Sequence, residues 1–260
     1  MKVHYTHPYF LNPQHRISVN LIGLGGTGSQ VLTCLGRINA ALIGLGHVGL
    51  HVTCWDDDVV SYPNIGRQMF SQSDIGLNKS VVLVNRINAF YGTDWVAKTS
   101  KFNQMSSSGA NITISCIDSA EGRIKIHDVL KLKYSINGNH PSSSHCYWLD
   151  FGNLKTTGQI ILGTAPNVYV RQPKKSSHTT VSKLPHVVKM FPQLKKINEA
   201  DQGPSCSMAQ SINKQDLFIN STLAQIGTNL IWKLFREGMI SVHGAYVNLE
   251  TLTVNPIKIK

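Results

Sequence analysis

From Trp55 to Lys79 the chain reads WDDDVVSYPNIGRQMFSQSDIGLNK, a stretch holding three consecutive acids, an Asn, an Arg-Gln pair and a Lys. Upstream, Gly23-Leu24-Gly25-Gly26-Thr27-Gly28 follows an apolar run, and downstream ITISCID ends on Asp118. Glycines without side chains let backbone N–H groups approach phosphate oxygens, and a helix starting at that turn adds positive potential. The glycine turn and the polar stretch together would surround one nucleotide-sized space. Few purely structural needs put so many polar residue types into so short a segment of an otherwise apolar chain.

Such groups need a scaffold that brings several strand ends together. Residues 16–22, RISVNLI, are apolar and β-branched and stop at glycine, as a buried parallel strand does. A helix is predicted from Thr27 to about Leu42, then a second strand from Leu50 to Trp55 that ends on Asp56, Asp57 and Asp58. Downstream, the spacing predicts a helix over 75–90 with Asp74 as its N-cap, a strand over 94–99, a buried strand over 112–118 and a helix from Ala120 to about Leu132. CYWLDFG and GQIILGT read as two strands joined by a short turn, Asp216–Glu237 as an amphipathic helix, and the C-terminus as a hairpin turning near Glu250-Thr251. The fold class expected is α/β, a Rossmann-like doubly wound, mostly parallel sheet with an antiparallel C-terminal extension.

A second glycine motif, Gly44-Leu45-Gly46-His47-Val48-Gly49, competes with the first. A dinucleotide fingerprint needs a strand before it, a helix after it and an acid at the end of the next strand. Gly23–Gly28 has all three, with Asp56 as the acid. The second copy follows a helical run and passes straight into LHVTCWDDD, so it reads as a helix-to-strand turn.

Composition sets broad limits. With 260 residues and 42% hydrophobic content, the chain suits a single domain over 1–260, with a flexible insertion around 165–205, where Pro, Lys, Ser and His crowd without a period. Its formal charge of +11 favours acidic partners such as nucleotides, nucleic acid or an acidic protein. The five cysteines include no CxxC pair, so neither a structural zinc clip nor a disulfide framework is expected, and a reducing, cytoplasmic setting is the default. MKVHYTHPYF lacks an apolar signal core and no stretch reads as a membrane span.

The ordered series GLGGTG, DDDVVSYPNIGRQ, DIGLNK and CIDS resembles the ThiF/MoeB family of ubiquitin-like-protein activating enzymes over residues 17–123. The segment PSCSMAQSINKQDLFIN is similar to the ThiF-like proteins of PRTRC gene systems. The resemblance implies ATP-dependent adenylation of the C-terminal carboxylate of a small ubiquitin-like β-grasp protein by a homodimer. It assigns Gly23, Gly25, Gly26, Thr27 and Gly28 to the phosphates and Asp56 to the ribose, and puts Asp58 near the phosphate region. Asn64, Arg67 and Gln68 would hold phosphate oxygens, Lys79 would offset charge as pyrophosphate leaves, and Asp118 would bind Mg2+. Arg123 lies five residues beyond Asp118. Cys206, before the last helix, takes the place of a thioester nucleophile. Two departures stand out: the family's zinc-binding cysteines are absent, and MKVHYTHPYFLNPQHR has no match to the RYxRQ element that reaches across the dimer, which leaves Arg171 as another source of that arginine. Two alternatives remain open, an NAD-binding Rossmann oxidoreductase and a non-catalytic nucleotide or nucleic-acid adapter that uses the basic segment 171–196.

Overall fold

The computed structural model describes residues 1–103, 109–136, 145–196 and 215–260. Its strands are β1 (Lys2–Tyr5), β2 (Ile17–Ile22), β3 (Leu50–Trp55), β4 (Val96–Lys98), β5 (Ile112–Ser115), β6 (Tyr147–Asn153), β7 (Thr157–Thr164), β8 (Thr179–Thr180), β9 (Met239–Ile240), β10 (Val242–Asn248) and β11 (Thr253–Lys258). The helices are α1 (Gly26–Gly44), α2 (Lys79–Tyr91), α3 (Ala120–Ile136), the short α4 (Val187–Met190) and α5 (Ile219–Arg236).

Eight strands form one sheet in the order β11-β10-β7-β6-β5-β2-β3-β4. The five from β4 to β6 run parallel, and β7, β10 and β11 extend the sheet by antiparallel pairing. This is the expected doubly wound fold with its antiparallel extension. A smaller sheet pairs β1 with β8 and β9.

Alternation along the strands feeds two apolar layers. Leu21, Cys54 and Ile114 join one core with Val31, Leu32 and Leu35 of α1 and Leu223, Ile231 and Leu234 of α5. Ile22, Trp55 and Trp148 join the other with Ile126, Val129 and Leu130 of α3 and Val187 and Val188 of α4. Burying each such side chain stabilises by about 1.5–3 kcal/mol before ordering costs. Because β3 lies on one side of β2 and β5 on the other, the chain reverses direction across the sheet at β2. The carboxyl ends of β2 and β5 therefore splay around a crevice.

Two expectations change in detail. Helix α2 begins at Lys79 rather than near Ile75, and its N-cap is Asn78, whose side chain accepts from Ser80 and Val81 N–H. Asp74 instead closes a short 3-10 turn, accepting from Ser71 and Arg86. The second glycine motif is a helix-to-strand turn as expected: α1 ends at Gly44, and Gly46 and Gly49, both at φ +82°, carry the chain into β3. Residues 165–196 have little regular structure, yet Val168, Val170 and Leu184 are buried and β8 pairs with β1. The rest of the 165–205 segment, and Cys206, lie outside the described residues. Among the described residues, no helix is long and apolar enough to cross a membrane.

Candidate functional site

The crevice is a cleft of about 470 Å3 that collects Gly23, Gly25, Gly26 and Thr27 with Asp56, Asp58, Arg67, Gln68, Lys79 and Asp118. The glycine turn owes its shape to close backbone contacts. Gly23 leaves β2 at φ +82°, and its N–H donates to the Trp55 carbonyl at 2.9 Å. A Cβ on Gly28 would stand 1.8 Å from the Gly23 carbonyl oxygen, so α1 starts against the loop. Gly25 caps α1 without a side chain, and the first turn holds no acid. Its N–H groups and dipole therefore offer positive potential that no acid in that turn offsets.

Asp56 shapes the same turn. Its Oδ2 accepts from Leu24 N–H at 2.5 Å and its Oδ1 from Asp58 N–H at 2.9 Å, which leaves each oxygen a further lone pair for a ligand hydroxyl. Burial pushes this carboxyl above the usual range, opposed by the Leu24 N–H and by Lys79. Asn78, which the sequence reading passed over, ties the segment to α2: its Nδ2 donates to the carbonyls of Asp56 at 3.0 Å and Asp58 at 3.1 Å. That stitch sets Lys79 at the first position of α2, buried along its stem, with Nζ 2.8 Å from Asp58 Oδ2.

Arg67 lies over the start of α1. Its Nη1 would be 2.8 Å from a Cβ on Gly26, and it donates to Gln215 Oε1. Burial lowers the Arg67 guanidinium from its ordinary value, yet arginine stays charged at neutral pH. Gln68 is 7% exposed, and its Oε1 has no hydrogen-bond partner among the described residues. An orphaned buried acceptor costs about 1–3 kcal/mol, which a ligand hydroxyl or a water would relieve. Asn64 is not brought into the cleft wall: its Oδ1 accepts from Ser61 N–H and Oγ in a local capping box. Arg16 is paired with Asp94 outside the cleft.

Distant segments complete the wall. Asn220, 2% exposed on α5, accepts from Thr27 Oγ1 at 2.8 Å and donates to Gln215 Oε1 at 3.4 Å. The segment PSCSMAQSINKQDLFIN ends on Asn220, yet nothing in it assigns that residue a role. On the opposite layer, Trp55, Phe102 and Ile126 present apolar surface, the two rings meeting edge to face at 5.5 Å. Asp118 is exposed within the cleft, on a loop whose carbonyls Arg123 engages. Among the described residues no group of three or more His, Cys, Asp or Glu side chains could hold a metal. Asp118 offers one carboxylate, and Mg2+ that keeps its waters and is shared with phosphates needs no more than one or two.

A second cleft, also about 470 Å3, meets the first at Ile117, Asp118 and Asn153 and runs past Gln159, Tyr246 and Asn248. Its lining is mostly uncharged. Together the two spaces could hold a polyphosphate and a second reactant meeting near Asp118.

The sequence matches the model of the ThiF family over residues 14–254. No curated protein matches it at significance. Among solved structures the chain is similar to PaaA, with 15% identity and a TM-score of 0.56, covering 96% of this chain and 65% of that one. It is similar to E. coli MccB, with 14% identity, a TM-score of 0.59 and coverage of 96% and 63%. Comparable similarity holds for E. coli MccB crystallised with AMPCPP and MccA, at 15% identity, a TM-score of 0.57 and coverage of 96% and 64%. The chain thus spans just under two thirds of the length of these proteins, and at such identities the similarity establishes the fold.

Proposed function

The chain belongs to the ThiF family, and from that premise we propose that it adenylates a substrate carboxylate with ATP. The observation that carries this reading is the convergence of the Arg67 guanidinium, the Lys79 ammonium and the open start of α1 on one cleft. An NAD site would use the glycine turn and Asp56 but, with no pyrophosphate leaving, would not call for two cations placed to receive one. E. coli MccB has been crystallised with ATP, which supports the same assignment.

In the proposed reaction a carboxylate oxygen attacks the α-phosphorus, the bond from that phosphorus to the bridging oxygen breaks, and pyrophosphate leaves with the electron pair. Backbone N–H groups of the glycine turn and Arg67 would hold the phosphates, and Asp56 and Gln68 would accept from the ribose hydroxyls. Lys79 would offset charge on the departing pyrophosphate, drawing away from Asp58 to do so. Asp118 would hold Mg2+, which supplies further charge neutralisation when bound. The acyl group would arrive through the second cleft, whose mostly uncharged lining suits an extended small-residue tail.

The remainder of the proposal rests on the sequence resemblance alone. The substrate would be the C-terminus of a small ubiquitin-like β-grasp protein, the enzyme a homodimer of the PRTRC-system ThiF-like subfamily, and Cys206 a thioester nucleophile. ATP–pyrophosphate exchange in the presence of the small protein encoded beside this chain is the test. Exchange that requires both is expected. Absence of exchange when both ligands demonstrably bind would refute adenylation, and tighter binding of NADH than of ATP would favour the oxidoreductase.

A further inference from the structure

One guanidinium, almost wholly out of solvent, is committed to the backbone that carries Asp118. Arg123 is 6% exposed. Its Nη2 donates to the carbonyls of Ile117 at 2.8 Å and Phe151 at 2.7 Å, and its Nη1 to those of Asp118 at 3.4 Å and Ser119 at 3.3 Å. Its Nε lies 3.0 and 3.1 Å from the two carboxylate oxygens of Asp150. Asp150 is itself fixed, accepting from Ser115 Oγ at 2.5 Å, and that hydroxyl accepts from the Trp148 indole N–H at 2.8 Å. All five guanidinium donors are used, and carbonyls of three consecutive residues turn toward one group.

Stability alone is a poor reason for this arrangement. A buried ion pair must overcome the desolvation of both charges, and apolar side chains of similar size often serve the fold as well or better. What apolar side chains cannot do is hold three successive carbonyls in one orientation, a job that suits the planar fork of arginine and not the point charge of lysine.

We propose that Arg123 and Asp150 are positioning residues that fix the Ile117–Ser119 backbone so that the Asp118 carboxylate is presented to the cation shared with the nucleotide phosphates. Asp150 orients Arg123, Arg123 shapes the loop, and the loop aims Asp118. Because Arg123 and Asp118 also line the second cleft, the same clamp fixes the point where the two clefts meet. The inference rests on the reading of the first cleft as a nucleotide site.

The test is ATP binding to the full chain by calorimetry, with Mg2+ and with a chelator, for the natural protein, Arg123→Lys, and the double variant Arg123→Met with Asp150→Asn. The double variant removes both charges of the buried pair together and keeps an acceptor for Ser115, so thermal melting should show it folded. Both variants should bind ATP in chelator as the natural chain does and lose about 10- to 100-fold in affinity when Mg2+ is present, as removal of groups that orient metal ligands commonly gives. Folded variants with undiminished Mg2+-dependent affinity would reduce the pair to a structural filler and overturn the proposal. So would a natural chain that binds ATP equally with and without Mg2+, which would leave the nucleotide reading intact. No ATP binding by the natural chain would overturn both, and failure of every variant to fold would make the pair structural.

Discussion

Gly28 and Gly44 stand in the same helix and differ in what surrounds them. A Cβ on Gly28 would fall 1.8 Å from the Gly23 carbonyl oxygen, where ordinary contact begins at 3.4 Å, and a Cβ on Gly44 would meet nothing within 4 Å. Alanine is preferred to glycine inside a helix by about 0.8–1.0 kcal/mol. Gly44→Ala should therefore stabilise, by less than that amount because Gly44 is the last residue of α1. Gly28→Ala gains the same preference but must lever α1 away from the loop. Overpacking costs about 1–3 kcal/mol, and here the upper end applies because the obstructing atom is backbone and cannot rotate aside. The net effect is roughly 2 kcal/mol of destabilisation. Urea denaturation of the two variants, compared at unchanged slope, should show midpoints moving in opposite directions. Calorimetry should show ATP binding lost in Gly28→Ala alone, since the phosphate cradle and the helix start move together. If Gly28→Ala matches Gly44→Ala in stability and still binds ATP, the close approach of helix and loop does not exist and the account of the cradle fails.

Other outcomes are expected from the same geometry. Lys79→Ala should reduce pyrophosphate exchange by about 100-fold, the scale for losing one group that stabilises developing charge, while circular dichroism shows the fold retained because its partner Asp58 is well exposed. His186, stacked on Trp148, has its pKa lowered to about 4 by burial, with His127, Lys183 and Lys189 adding to the effect. An unfolded chain would take up that proton near pH 6.5 and the folded one only near 4, so stability should fall as pH drops through this window, by about 3 kcal/mol per such group. His4, lowered to about 4 chiefly by burial, and His7 and His243, also lowered by burial, act over the same range, so His186→Phe should reduce but not abolish the slope in urea midpoints measured from pH 7 to 4. A thiol-sensitive conjugate with the substrate protein should disappear in Cys206→Ala, and its persistence would remove that cysteine from the proposed chemistry.

The parts of this fold that were legible in the sequence are those whose causes are local. Strand β2 announced itself by six residues of apolar character ending at glycine, and β3 by the acids that follow Trp55. The choice between the two glycine motifs also came from neighbours in sequence, since only one had room for a helix after it. The start of α2 went astray because two capping residues compete there, Asp74 and Asn78, and Gly76 at φ +86° breaks the chain between them. Asn64 has a place in the motif, whereas its Oδ1 serves a turn. Asn220, Gln215 and Asp150 stayed hidden for the opposite reason. Gln215 and Asn220 fall in a segment whose resemblance gives neither of them a role, Asp150 falls in a strand, and each joins the site through contacts 27 to 193 positions away in the chain.

The margins of the large sheet bear on how any partner can attach. At one end β4 has only three residues, and at the other β11 contains Pro256, which lacks an N–H and so removes one backbone donor from that edge strand. A β-rich visitor that tried to continue the ladder would find one side too short to register on and the other interrupted midway. Growth of the large sheet from chain to chain, the route to fibrils and to promiscuous pairing, is thereby disfavoured at both ends. Blunted edges on the large sheet leave recognition there to side chains and clefts, where it can be selective.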